Sequence, residues 1–183
     1  MVLLESQMVP LGTPAPDFSL KGIDDRPHTL HEYADKDILV IIFMCNHCPY
    51  VQAVFYRLIA IQNDYDDQGV QLVGINANDP TEYPEDSLEK MKEEVQKRAI
   101  SFVYLQDESQ TVARAYQAQC TPDIYVFDQE RQLAYHGRID DNWQEPGQVT
   151  RNELRAAIDA LLAGQKPSLE QKPSMGCSIK WKS

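Results

Sequence analysis

The sequence predicts a mixed α/β fold in which a central sheet is flanked by helices. Short apolar segments rich in β-branched residues alternate with segments whose apolar residues recur at helical spacing, and the last two strand segments are separated by a short turn. Alternating strands and helices form parallel sheets, whereas a short turn joins antiparallel strands. The 183 residues fit one domain, and we expect that domain to cover residues 1–183.

The predicted strands are short and bounded by turn residues. A lead-in rich in proline and glycine, residues 10–20, is expected to end in a short edge strand with Phe18 and Leu20 on one face. Residues 38–44 are continuously apolar and β-branched, which is typical of a central strand covered on both faces. Further strands are predicted at 70–76, 102–105, 124–127 and 133–137.

The predicted helices follow these strands. Pro49 suits the first turn of a helix, and this helix should end near Gly69. Further helices are predicted at 88–99, at 111–117 and after a capping box at 150–153. The remaining tail, residues 165–183, is polar, and we expect it to dock on the body through three apolar side chains, those of Met175, Ile179 and Trp181.

The composition limits the partners and the compartment. A net charge of −11 argues against nucleic acid and anionic membranes as partners. Residues 1–12 have neither the basic segment nor the apolar run of a signal peptide, and no stretch approaches the roughly 20 apolar residues that span a bilayer. We therefore expect a cytoplasmic protein with no membrane partner. The sequence has no glycine-rich phosphate loop, and we expect no cofactor.

Two of the four cysteines form the motif Cys45-Asn-His-Cys48. In a reducing compartment such a pair is more often catalytic or metal-binding than structural. The motif lies between the apolar strand and the helix at Pro49, where backbone N–H groups and the helix dipole favour an anion. A cysteine there can have its pKa lowered from about 8.5 to roughly 3.5–7.5. We expect Cys45, the more exposed by position, to be the attacking thiolate and Cys48 to resolve the mixed disulfide.

His47 lies between the two cysteines. If it is protonated, its charge stabilises the Cys45 thiolate and therefore the reduced dithiol. The disulfide would then be a stronger oxidant, closer to the isomerases at about −180 mV than to thioredoxin at about −270 mV. The alternative is an inert pair or half of a zinc site, which Cys120 and a histidine could complete. Nothing in the spacing demands a metal, and we expect none.

Other residues have weaker claims to a role. Cys120 is interpreted as a small buried apolar residue, with a third redox thiol as the alternative. Cys177 either reaches another cysteine or is buried where the tail docks. The acidic residues at 82–86 and 140–141 are interpreted as parts of solvated loops rather than metal ligands. Tyr50 is expected at the rim of the cysteine site.

Six segments carry a family resemblance in chain order. They are Ala15–Leu20, Phe43–Val51, Thr121–Asp123, Val126–Asp128, Gly137–Asp140 and Gly176–Lys182. In these segments the chain resembles the thioredoxin-like superfamily, and in particular small bacterial thioredoxin family proteins of the AhpC/TSA type. The resemblance implies redox-active thiols at Cys45 and Cys48 on a thioredoxin fold with an N-terminal extension and a peroxiredoxin- or TlpA-like insertion after the second strand. It also implies that a cis proline, Pro122, faces the pair and that the Thr121 backbone pairs with an incoming peptide or thiol.

The chain departs from thioredoxin around the cysteines. Met44 replaces the tryptophan before the first cysteine, and Asn46 and His47 replace glycine and proline between the two. Leu39 replaces the buried aspartate that relays protons, so Cys48 lacks the usual carboxylate to accept its proton. The resemblance to thioredoxin therefore does not extend to this part of its reductase chemistry.

A peroxiredoxin of the same superfamily is the main rival. Its motif places a proline and a threonine ahead of the peroxidatic cysteine. When the chain is aligned on Cys48, these two positions hold Ile41 and Cys45. The arginine that such a site requires would have to be Arg138.

Three functions follow from these residues. We expect a thiol–disulfide oxidoreductase, an oxidant or isomerase in tendency, that acts on protein or small-molecule disulfides and thiols. The second hypothesis is a thiol peroxidase with antioxidant activity. The third is a non-catalytic binding module whose docking surface is Pro122 and the cysteine loop. The substrate, the reductant and the oligomeric state stay open.

Overall fold

The computed structural model describes residues 3–183, and Met1 and Val2 of the expected domain lie outside this range. The described residues form ten strands, four α-helices and four short 3₁₀ helices. The strands are β1 Leu3–Glu5, β2 Ser19–Gly22, β3 Pro27–Thr29, β4 Ile38–Phe43, β5 Val70–Asn76, β6 Val103–Gln106, β7 Cys120–Thr121, β8 Asp123–Phe127, β9 Leu133–His136 and β10 Met175–Ser178. The helices are α1 Pro49–Tyr65, α2 Leu88–Arg98, α3 Thr111–Ala115 and α4 Glu153–Leu162.

The main sheet has seven strands in the order β3-β2-β6-β5-β4-β8-β9. β4, β5 and β6 run parallel to one another, and β8 and β9 form an antiparallel hairpin beside β4. Every residue of β4 is buried, as its continuous apolar sequence predicts. The predicted mixed α/β fold is confirmed.

The entry strand β2 is not at the edge of the sheet. It lies between β3 and β6 and pairs antiparallel with both, so the prediction of an edge strand there is wrong. The outer position belongs to β3, which has only three residues. A strand this short shows no periodicity that could reveal it. Phe18 and Leu20 are both buried, as expected.

The helix boundaries depend on local backbone chemistry. Pro49 is the first residue of α1, and the chain beyond α1 turns at Gly69, whose φ of 75° is in the left-handed region. The capping box predicted at 150–153 is wrong. The residue that caps α4 is Asn152, while the Thr150 hydroxyl donates a hydrogen bond to the Asp141 carboxylate.

The tail forms a strand that sequence periodicity did not reveal. β10 lies between β1 and β7 in a separate three-stranded sheet. Beyond β10, Ile179 is only 3% exposed, and the Trp181 ring packs under the Arg114 guanidinium at 4.4 Å. The tail therefore contributes to the packed interior, and β10 covers one edge of β7.

Two apolar clusters lie on opposite faces of the main sheet. One contains the inner faces of α1, α2 and α4, and the other contains α3 and the lead-in. On α1, the side chains of Val54, Phe55 and Leu58 are at most 1% exposed. Burying each such side chain contributes about 1.5–3 kcal/mol, so α1 is held firmly where it meets the cysteine motif. Within residues 3–183, no helix is long and apolar enough to cross a bilayer.

Candidate active site

The cysteine motif lies at the junction of β4 and α1. Cys45 follows the last residues of β4, and Cys48 is the N-cap residue of α1. Cys45 is 1% exposed and Cys48 is 0% exposed. Both cysteines are buried, so exposure does not distinguish Cys45 from Cys48, and the greater accessibility of Cys45 stays a prediction.

Three sulfurs converge beside the Thr121–Pro122 peptide bond, which is cis. The Cys48 Sγ lies 2.8 Å from the Cys177 Sγ and 3.3 Å from the carbonyl oxygen of Thr121. The Cys45 Sγ lies 3.5 Å from the Thr121 hydroxyl. The structure thus brings together both motif cysteines, Thr121 and one cysteine of the tail. Within residues 3–183, Cys45, Cys48 and Cys120 are thiols that form no disulfide.

The hydrogen bonds of this cluster favour a negative charge on Cys48 rather than on Cys45. A hydrogen bond from the Cys45 thiol lowers the pKa of Cys48 to about 5, although burial opposes this shift. The thiol of Cys177 and the backbone N–H of Val51, at the start of α1, act in the same direction. Because Cys45 donates this hydrogen bond, the bond raises the pKa of Cys45, and burial raises it further.

Cys45 was expected to be the thiolate because it precedes the helix, and this assignment of roles stays a prediction. Cys48, however, is the N-cap residue of α1, and its hydrogen bonds with Cys45 and Cys177 lower its pKa, which favours the opposite assignment. Since the thiolate is the nucleophilic form of cysteine, the geometry favours Cys48 as the attacking group.

Asp86 is a site residue that the sequence analysis missed. We interpreted residues 82–86 as a solvated loop, but the Asp86 side chain is 0% exposed. Its carboxylate accepts hydrogen bonds from the Asn46 backbone N–H at 2.7 Å and from the Asn78 side-chain amide at 2.7 Å. It also pairs with the Nδ1 of His47 at 2.5 Å. Through these bonds, Asp86 holds in place the two residues that lie between the cysteines.

His47 forms an ion pair with the Asp86 carboxylate. The hydrogen bond that His47 donates to Asp86 raises the pKa of His47, against the effect of burial. Burial would raise the pKa of Asp86, but its bonds to His47 and Asn78 outweigh burial and lower it. The His47 ring also stacks on Tyr83, with 5.1 Å between ring centroids. The Asp86 carboxylate offsets the charge of His47, and the role of His47 in stabilising a Cys45 thiolate stays a prediction.

Three of these groups also have metal-binding chemistry. One ligand atom each from Cys45, His47 and Asp86 lies within 4.8 Å of the other two. However, the Asp86 carboxylate already accepts three hydrogen bonds, and one of them comes from His47. An ion at this position would have to replace that hydrogen bond, so the donor set suits an ion pair better than a metal centre.

A cavity of about 220 Å³ opens beside the cis proline. Its walls include Pro122 and Tyr50, whose ring packs against that of Trp143 at 4.2 Å. The loop carrying Trp143 is anchored by Asp140, which is 4% exposed and bonds to Arg57 at 2.7 Å. The interpretation of Asp140 as part of a solvated loop is therefore wrong.

Three other candidate positions lie away from the reacting sulfurs. Arg138, named for a peroxidase site, donates hydrogen bonds to Glu153 instead. Cys120 is 0% exposed, and its sulfur lies 3.8 Å from the Ser6 hydroxyl. Burial raises the pKa of Cys120, which agrees with its interpretation as a buried apolar residue. Leu39 is fully buried in the apolar cluster that contains α3, so it supplies no carboxylate.

Titration of the reduced protein should show one thiolate that forms near pH 5. The ultraviolet absorbance of thiolates is expected to rise in a first step with that midpoint, because hydrogen bonds stabilise ionised Cys48. Cys48→Ser should lack this step, whereas Cys120→Ala should retain it. A titration in which no thiolate forms below pH 8 would contradict the assignment of the charge.

Comparisons with known proteins place the cysteine motif inside a family match. Residues 11–136 match the sequence model of the AhpC/TSA family. The matched range contains both motif cysteines, Thr121 and Pro122, and ends before Cys177. The chain is 26% identical to the thiol-disulfide oxidoreductase ResA of Geobacillus thermodenitrificans (strain NG80-2) over 126 residues, which are 68% of this chain and 67% of ResA.

Solved structures also share the fold. The crystal structure of an uncharacterized conserved protein from Geobacillus kaustophilus matches with a TM-score of 0.95 and 47% identity, over 100% of this chain and 97% of that chain. The thioredoxin domain of a thiol-disulfide oxidoreductase from Bacteroides vulgatus matches with a TM-score of 0.61 and 16% identity, over 70% of this chain and 89% of that one. At this identity the second likeness shows the thioredoxin fold alone.

Proposed function

Because this chain belongs to the AhpC/TSA family and is an oxidoreductase, we propose that its chemistry is reversible thiol–disulfide exchange at Cys45 and Cys48. One observation carries the proposal. Cys48 is the N-cap residue of α1 beside the cis Thr121–Pro122 bond, and its sulfur lies 2.8 Å from the Cys177 sulfur. Hydrogen bonds with Cys45 and Cys177 lower the pKa of Cys48 to about 5. A stabilised thiolate next to a second thiol is the arrangement that disulfide exchange needs.

The proposed cycle begins with attack by Cys48. Its thiolate attacks one sulfur of a substrate disulfide, which forms a mixed disulfide and releases the other substrate sulfur as a thiolate. Cys45 then loses its proton and attacks the Cys48 sulfur. This forms the Cys45–Cys48 disulfide and releases the second substrate sulfur, which takes up a proton. An external dithiol reverses the sequence and restores the reduced enzyme.

The direction of exchange follows from the stability of the thiolate. A low pKa stabilises the reduced form at neutral pH, which raises the reduction potential of the disulfide. We therefore propose an enzyme with an oxidising or isomerising tendency. Its substrates are protein or small-molecule disulfides and thiols, and the cavity beside Pro122 offers apolar surface from Tyr50 and Trp143 for an adjoining side chain. A cytoplasmic location belongs to the same proposal and is tested by cell fractionation.

Peptide mapping after mild oxidation tests the proposal. Wild-type protein treated with oxidised glutathione should form a disulfide that includes Cys48, and it should catalyse exchange between glutathione and insulin disulfides. A chain with no disulfide at Cys48 and no catalysis of exchange would contradict the proposal. It would favour a binding module that docks partners at Pro122.

One observation favours peroxidase activity as a second candidate. The thiolate lies on Cys48, which is the position that aligns with a peroxidatic cysteine. If peroxide is the oxidant, Cys48 becomes a sulfenic acid, and a neighbouring thiol condenses with it to give a disulfide and water. A peroxide-consumption assay on Cys45→Ser separates the candidates, because fast consumption by that variant requires Cys48 to react directly with peroxide.

A further inference from the structure

The tail strand β10 occupies the edge of β7 at the cysteine site. Cys177 pairs with Thr121 and Ser178 pairs with Cys120, in antiparallel register. β1 pairs along the other edge of β10. The backbone of Thr121, which we expected to receive an incoming peptide, therefore already carries a strand of this chain.

Gly176 permits this close approach. A Cβ atom at Gly176 would lie 1.9 Å from the carbonyl oxygen of Thr121 and 3.2 Å from the backbone nitrogen of Pro122. Both neighbours are backbone atoms, so no side-chain movement can relieve the overlap. Only glycine lets β10 lie directly against the cis peptide bond.

The close packing presents the Cys177 sulfur to Cys48. The two Sγ atoms are 2.8 Å apart, so they need to approach by less than about 1 Å to reach the disulfide bond length of about 2.05 Å. Cys177 is 1% exposed. Burial raises the pKa of Cys177 to about 12, and its hydrogen bond to Cys48 adds to the rise, so Cys177 holds its proton while Cys48 carries the charge.

We propose that Cys177 is a second resolving thiol for Cys48, and that β10 occupies the position that a substrate strand takes. The inference rests on the proposed function, which supplies the mixed disulfide. In this step Cys177 gives up its proton and its sulfur attacks Cys48. The Cys48–substrate bond breaks, the Cys48–Cys177 bond forms, and the departing substrate sulfur takes up the proton. One thiol and one disulfide become one thiol and one disulfide, so no further oxidant is required.

Access to Cys48 then depends on β10. A substrate strand that pairs with Thr121 must displace β10, since both use the same backbone edge. Only two residue pairs join β10 to β7, whereas three join it to β1. To leave β7, the β1–β10 ribbon must also release the hydrogen bond that the Ile179 N–H donates to the Gln119 carbonyl oxygen at 3.0 Å. Its return brings Cys177 back to Cys48 and expels the substrate.

Oxidised glutathione tests the covalent step directly. In Cys45→Ser, glutathione that joins Cys48 should be released again, and peptide mapping should find a Cys48–Cys177 disulfide. The matched control is Cys45→Ser/Cys177→Ser, in which the glutathione adduct on Cys48 should persist. Both changes are conservative, so the fold is kept.

The outcomes distinguish a failure of the role of Cys177 from a failure of the proposed function. An adduct that persists equally in both variants would overturn the role of Cys177 while leaving attack by Cys48 intact. If neither variant forms an adduct or a disulfide at Cys48, the proposed function fails, and this inference fails with it.

A second variant tests the position of β10. Gly176→Val cannot dock against Thr121, so alkylation of Cys48 should become at least about tenfold faster than in wild type, because opening no longer precedes reaction. The control is Met175→Val, which changes the neighbouring residue, whose side chain is 36% exposed. Equal alkylation rates in Gly176→Val and Met175→Val would show that β10 does not control access.

Discussion

Cys48→Ser is expected to lower the rate of attack on a disulfide by at least about 10³-fold, because a serine hydroxyl does not attack sulfur and the remaining thiols near the site are held protonated. The measurement is stopped-flow release of thiolate from a chromogenic aryl disulfide. Wild type should give a rapid burst, and Cys48→Ser should give only the slow background reaction.

Cys45→Ser provides the matched comparison for this result. The serine hydroxyl still donates a hydrogen bond to the Cys48 thiolate, so the burst should persist within about tenfold of the wild-type rate. Cys120→Ala should behave as wild type, since the Cys120 sulfur contacts Ser6 rather than the motif. A burst that is lost in Cys45→Ser and kept in Cys48→Ser would restore Cys45 as the attacking thiolate.

Asp86→Ala is expected to lower the free energy of unfolding by about 3–5 kcal/mol, which is the cost of removing one partner from a buried ion pair. The change leaves the Asn46 backbone N–H without its carboxylate acceptor and removes the partner of the His47 charge. Urea unfolding followed by circular dichroism measures the loss. Glu82→Ala is the control, because this exposed acid of the same loop should change stability by less than about 0.5 kcal/mol.

The difference in the free energy of unfolding between wild type and Asp86→Ala should depend on pH, and this dependence shows whether the ion pair causes it. The pKa of His47 is raised above its ordinary 6.5, so its contribution is complete below pH 6.5 and is lost as the pH rises through the raised value. The pKa of Asp86 is lowered below 3.8, so its contribution is complete above pH 3.8 and is lost as the pH falls through the lowered value. The difference between wild type and Asp86→Ala should therefore be largest between these two limits. A difference that does not vary with pH would mean that the ion pair contributes nothing.

Local sequence patterns predicted most of the fold. The strand at 70–76 has the predicted bounds, and α1 begins at Pro49, because burial on both faces and proline geometry are local properties. The sequence analysis missed strands whose residues show no apolar alternation or apolar run. Glycine, cysteine and serine make up three of the four residues of β10, and only its partners β1 and β7 make it a strand.

The sequence by itself determined the fold class and the cysteine motif at a strand–helix junction, and the family resemblance added the cis proline. Tertiary structure alone decided which distant groups reach this motif. The Cys48 sulfur meets that of Cys177, which is 129 positions away in sequence, and the loop between the cysteines is held by Asp86, some 40 positions away. Hydrogen bonds and charges act over a few ångströms in space. Residue spacing along the chain therefore identifies the reactive groups, but only folding sets their distances and hence their chemistry.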